Sequence, residues 1–463
     1  MAIAIQRLPE MRTPVVRAVS DRAFGGAVFF YFLGVVLPSE FAVNLFGLAL
    51  IPVRVVLLVF FVPALIQLTK DRDFRPQAFD YFLIMAIAWM LFALCVNNGV
   101  EKGIKYGGSL ALEALGGYLL ARAYVRNYTQ FAAAVSAYFL FVLVVGAVAV
   151  PEAFLKIKFV HAWASALTGN PDTAVTSEAG RLGLERATST FDHPILYGAF
   201  CATSVGLVWY LNYNRTDRWI RAGVIAFATF CSVSSAPLLA YAMALGFVGW
   251  ERWTRQISNR AAITIAVAAS GFLLIEVFSN RSAVEVIIAL IALDSWTAYY
   301  RVLIWQNAFV DLSNNPLFGA ALSAWTRPRW MTGSVDSFWL VTALSGGLPA
   351  ALLVGLAVIV MMVKVHARRL GFRETRERWQ CRFGWTAAIL GLCLQAFTVH
   401  YWGSMHSLFF FILGMGAWMT DSRNGLLGVD TTTRAAAPHP MPLRDRPRIA
   451  ARGRQPAIVP RGR

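Results

Sequence analysis

Long unbroken runs of apolar residues recur in this chain from near residue 24 to residue 420. A bilayer core about 30 Å thick takes about 20 helical residues to cross. Within it every backbone amide and carbonyl must find a partner inside the chain, which leaves helices as the simplest spanning element. Reading for such runs predicts twelve spans, near residues 24–38, 45–68, 79–97, 107–125, 131–151, 192–211, 218–233, 236–250, 261–279, 337–363, 383–401 and 405–420. Composition agrees: 57% of the 463 residues are hydrophobic and 14% charged, against about 45–50% and 25% in soluble domains. A soluble enzyme and a disordered chain are both excluded. The expected fold class is an all-α polytopic membrane protein, and the polar, Arg-containing residues 1–23 do not read as a cleavable signal.

The charge pattern orients the spans. Lys and Arg outnumber Asp and Glu by 42 to 25, for a net charge of +17. If residues 1–23 are cytoplasmic, 31 of the 42 cationic residues fall on cytoplasmic segments, as the positive-inside rule requires. Both termini are therefore expected inside. The Pro/Arg-rich tail, residues 421–463, has no aromatic residue from Arg434 onward to stack on bases, so it predicts a disordered basic tail near anionic lipid rather than a nucleic-acid arm. The expected organisation is a cytoplasmic segment 1–23, a transmembrane domain 24–420 and that tail. Five cysteines without CxxC spacing, and histidines without ligand spacing, point to neither a disulfide framework nor a metal.

Two expected outer loops are long, residues 152–191 and 280–336, and loops of that length tend to carry function. The second contains "VEVIIALIALDSWTAYYRVLIWQNAFVDL", helical in period but interrupted by Asp294 and Arg301. It predicts one or two helices lying on the bilayer with the apolar face down.

Several residues could carry chemistry. Arg186 precedes the sixth span, Arg301 lies in the second loop, and Asp336 opens the tenth span. Guanidinium groups bind phosphate oxygens bidentately and stay charged, which suits a pyrophosphate; alone, each arginine also reads as a partner of an acid or of lipid phosphate. Asp336 is a candidate general base, although such a residue taken alone is more often a helix N-cap. His193, His400 and His406 sit near outer span ends, and His193 is the alternative base. Arg54 falls inside the second span, where a charge costs roughly 3 kcal/mol. It should face the bundle interior, with Glu40 or Glu113 as partner.

These residues fall in register with a family pattern. The chain resembles the O-antigen ligase and polysaccharide polymerase superfamily over about residues 45–420. "RATSTFDHP" is similar to the element that follows the family's first arginine, here Arg186. Arg301, Trp305 and "PLFG" at Pro316 to Gly319 match the second element. The third, H-N-x9-G-x-x-G, reads here as Asp336-Ser337, nine residues, then Gly347-Leu348-Pro349-Ala350, with His, Asn and the last Gly replaced. The loss of that histidine speaks against a ligase, and "VDSFW" looks like exopolysaccharide polymerases of the superfamily.

The resemblance implies a GT-C-like membrane glycosyltransferase in a bacterial inner membrane. It would polymerise undecaprenyl-pyrophosphate-linked repeat units into exopolysaccharide or O-antigen at the outer face. The nearer alternative is a ligase transferring glycan to lipid A-core, and the more distant one a polysaccharide transporter or flippase. On this reading Arg186, Arg301 and Arg54 bind pyrophosphate and Asp336 or His193 acts on the acceptor, without a cofactor or metal. The implied partners are the lipid-linked glycan and membrane lipid, with a flippase and a chain-length regulator as candidates and no nucleic acid.

Overall fold

The computed structural model describes residues 14–420 except 46, 72–73, 175–182, 258–259, 284, 287, 289–294, 321–324 and 368–374. The tail 421–463, the first thirteen residues and Asp294 of the second loop therefore lie outside the described residues. Each of the twelve apolar runs carries helix. In chain order the longer helices, including two in the loops, are α1 (Pro14–Val36), α2 (Pro52–Lys70), α3 (Ala78–Asn98), α4 (Val100–Ala111) continuing into α5 (Gly117–Tyr124), and α6 (Tyr128–Leu155). After the short α7 (Phe159–Thr168) come α8 (Pro194–Leu211), α9 (Arg218–Cys231), α10 (Ser235–Trp253) and α11 (Arg260–Phe278). The last four are α12 (Ser295–Asn314), α13 (Phe338–His366), α14 (Arg376–Gln395) and α15 (Ser404–Met415). Among the described residues five helices, α2, α3, α6, α8 and α13, are long and apolar enough to cross a membrane by themselves. The chain is thus a mostly helical, membrane-embedded protein.

Local chemistry sets the starts. Pro52 opens α2 and Pro194 opens α8, where a missing N–H costs nothing. Asn127 and Thr375 cap α6 and α14 by accepting the N–H of Gln130 and Arg378. The second predicted span begins too early: Val43–Leu45 and Leu48–Leu50 form an antiparallel hairpin turning at Gly47, whose φ is +77°, and Pro52 sets the helix start beyond it.

Helix α8 is the hub, buried on almost every side. It packs against α14, α9, α10 and α6. Gly206 of α8 and Gly384 of α14 let the two backbones approach, since a Cβ on Gly206 would lie 2.5 Å from that of Ala387. By contrast α2 turns Leu58, Val59, Val62 and Leu65 outward, as a lipid-facing helix would. The loop helix α12 is held by protein along one face. Its stripe of Arg301, Ile304, Ala308 and Leu312 is buried, the three apolar members packing on Leu340, Ala343 and Leu344 of α13, while Trp296, Phe309 and Val310 are exposed on its other side. A helix apolar on two faces can be held by protein on one of them.

Helix α13 is broken at Gly346 and Gly347 (φ −135° and +67°). There the segment Pro316–Ala320, holding the PLFG motif, docks onto the break. Ala320 N donates to Leu344 O and Leu348 N donates to Pro316 O, both at 2.8 Å. Trp89 and Asn97 of α3 close the joint by donating to Leu317 O and Phe318 O. A Cβ on Gly319 or Gly347 would lie 2.1 Å from a carbonyl oxygen of the opposite segment, and both glycines have φ above +60°. Two short motifs that look independent in sequence are one structural joint. Gly347→Ala should cost at least about 2 kcal/mol, from left-handed strain plus the clash. Gly355→Ala in the same helix meets nothing within 4 Å and should be neutral or stabilising. Thermal unfolding of both variants in detergent checks the contrast.

Candidate functional site

Asp336 and His193 line one cavity of about 500 Å³, together with Tyr106, Trp325, His400 and Trp402. Asp336 reaches it because it is not the helix cap. Ser337 is: its Oγ accepts the N–H of Leu340 and donates to Ala396 O at 3.0 Å. Phe338 N donates to Val399 O, tying the start of α13 to the α14–α15 turn. The carboxylate beside this anchored serine is left to face the cavity.

His193 does cap a helix. Its Nδ1 accepts the N–H of Ile195 at 3.1 Å, so the neutral ring carries its proton on Nε2. In that tautomer it presents a hydrogen-bond donor, and its basic lone pair is engaged. As a base it is therefore the weaker of the two residues expected from the sequence.

Arg186 is set by its backbone. Glu185 N donates to Ala153 O and Ala187 N to Cys231 O, pinning the segment between the ends of α6 and α9. Glu152, buried at the end of α6, accepts the next two amides, of Thr188 and Ser189. The Arg186 guanidinium donates to Ser234 Oγ at 2.9 Å. Burial, and then the charge of Arg301, lower its pKa to about 10, which leaves it cationic at neutral pH. Arg301 is buried as well, one helical turn before Trp305, whose indole donates to Phe397 O. Arg186 also lies within electrostatic reach of His193, as does Asp336. The structure thus gathers Arg186, Arg301, His193 and Asp336 into one region.

Arg54 is placed otherwise. Its Nε donates to Glu113 Oε1 at 2.8 Å and its Nη1 to Ala49 O at 2.7 Å, while the second Glu113 oxygen is 3.0 Å from His406 Nδ1. Of the two expected partners Glu113 is the one found; Glu40 pairs with His161 instead. Glu113 is inside a π-helical turn, Leu112–Gly116, between α4 and α5. Tyr106 on the cavity wall is within electrostatic reach of both Glu113 and Arg54.

Trp325, Trp402, Tyr106 and Glu152 were not apparent as site residues in the sequence. Aromatic residues are common at span ends, and only their clustering in "VHYWG" marks the 399–403 turn. Glu152 carried a signal of its own, an acid closing an apolar run.

Removing Glu113 strands a cation beside an apolar interior, a change that typically costs 3–5 kcal/mol. Glu113→Ala should therefore lower the thermal midpoint in detergent strongly, and Glu113→Gln, which can still accept from Arg54, should lower it less. No protein-family model and no curated protein sequence matches this chain.

Proposed function

We propose that the protein is a membrane glycosyltransferase that polymerises undecaprenyl-pyrophosphate-linked oligosaccharide repeats at the outer face of a bacterial inner membrane. The observation that carries the reading is a cavity lined by an uncapped carboxylate, Asp336, with two buried arginines, Arg186 and Arg301, in the same region. A lipid-linked donor needs an apolar surround, a dianion-binding pair and an acceptor-side base, and these residues are of those kinds.

In the proposed reaction the acceptor hydroxyl oxygen attacks the anomeric carbon of the donor. The bond from that carbon to the pyrophosphate oxygen breaks, and the electron pair leaves with undecaprenyl pyrophosphate. Asp336 takes the hydroxyl proton. Arg186 and Arg301 stabilise the charge that develops on the leaving group, fixed in place before reaction begins. His193 donates from Nε2 to an acceptor or leaving-group oxygen. Arg54, paired with Glu113, supports the site rather than binding phosphate. Trp325 and Trp402 offer flat apolar faces of the sort on which sugar rings stack. The twelve apolar stretches act as spans of a GT-C-like domain with both termini cytoplasmic, which places the cavity outside.

The test is surface-glycan analysis of a strain lacking the gene, complemented with the wild type or with Arg186→Ala, Arg301→Ala or Asp336→Asn at equal membrane expression. The deletion should leave single repeat units, and each variant should lose roughly a hundredfold or more of polymer-forming activity. Full-length glycan accumulating on its lipid carrier would instead indicate a ligase. Topology has its own readout. A phosphatase that folds only outside the cytoplasm should be active when fused after residue 330 and inactive when fused after residue 256.

A further inference from the structure

A second polar cluster forms where α7 and the segment after it meet the turn at Ser39–Phe41. Glu40, His161 and Asp172 offer donor atoms that all lie within 4.8 Å of one another. Glu40 and His161 are fully buried, and Asp172 is exposed at the mouth.

Several carboxylates crowd one imidazole here. Glu40 Oε1 is 2.8 Å from His161 Nδ1 and accepts the Thr173 N–H at 2.9 Å. Thr173 Oγ1 sits 2.9 Å from Glu40 Oε1 and also 2.9 Å from Asp192 Oδ1. One hydroxyl has one proton, so it cannot satisfy both carboxylates. Glu152 and Asp192 lie within electrostatic reach of the same imidazole. Two buried atoms are left with no hydrogen-bond partner among the described residues, Glu40 Oε2 and His161 Nε2. Buried donors and acceptors without partners are uncommon, and each asks for an explanation such as an ion.

We propose that Glu40, His161 and Asp172 bind a divalent transition-metal ion of the zinc or manganese kind. One imidazole nitrogen with two carboxylates is a donor set for such ions, whereas calcium takes six to eight oxygens. The bound cation balances the clustered carboxylates and clamps α7 to the Ser39–Phe41 turn. Asn170 already pins the same place by donating to Glu40 O and Ala42 O. The clamp is connected to the cavity wall, because Asp192, beside His193, accepts from the Trp402 indole at 3.4 Å. The site stands independently of the proposed transferase activity.

The experiment uses full-length protein purified in detergent without a histidine tag, stripped with chelator, then titrated with zinc, manganese or calcium. Bound metal is read by mass spectrometry after desalting, and stability by thermal unfolding. Wild type should retain about one equivalent of zinc or manganese and melt several degrees higher with it. Asp172→Asn, a change at an exposed position, should melt like metal-free wild type and bind at least tenfold more weakly. His161→Ala should bind none. Retention of less than a tenth of an equivalent by wild type, or equal retention by Asp172→Asn, overturns the site. Retention of calcium alone overturns the assigned donor chemistry.

Discussion

In an unbroken helix the N–H of Leu348 would donate to the carbonyl of Leu344. Here both groups turn outward to the loop that carries PLFG, one to Pro316 O and the other to Ala320 N. The exchange replaces one bond with two and leaves neither group stranded in an apolar layer, the condition under which irregular backbone is tolerated at membrane depth. Pro349 suits the break because it has no N–H to lose. Much else hangs on this joint. It fixes the end of α12, and so the height of Arg301, and it fixes the first half of α13, which bears Ser337 and presents Asp336 to the cavity.

Charge burial divides into two kinds in this molecule. Around Glu113 the account is balanced inside the fold, with a guanidinium on one oxygen and an imidazole on the other. Asp80 is similar, taking the Tyr118 hydroxyl and Arg122 within the bundle. Arg186 and Arg301 add a second feature, two like charges close enough to act on each other in a buried region. Holding like charges together has a cost that an anionic ligand would offset. The first kind explains how polar residues survive in so apolar a chain, and the second marks where to look for chemistry.

The helices were legible because length and apolarity are local properties. What went unseen depended on partners distant in sequence. The 43–50 hairpin reads as apolar, and only its pairing separates it from the helix beyond Pro52. Asp336 and Ser337 are both able caps, and the neighbouring turn at Ala396 decides between them. For Arg54 the sequence offered Glu40 and Glu113, and helix packing made the choice. The loop helix α12 was visible by its period, but its apolar residues could face lipid or protein, and α13 supplied the protein. Glu40, His161 and Asp172 come from three separate segments, so no spacing rule could join them.

The π-helical turn at Leu112–Gly116 amounts to one residue more than a regular helix would hold. Its effect is rotational. Every position after it is set back by about 100° from where an unbroken continuation of α4 would put it, which is how α5 brings Gly117 against Ser407 of α15, where a Cβ would fall 2.6 Å from a backbone oxygen. Such an offset cannot be shed in part. Loss of the extra residue would close this stretch into regular helix with α5 still in its seat, whereas one residue more would swing the inner face of α5 away, so the stretch should resist insertions that the outer loops absorb easily.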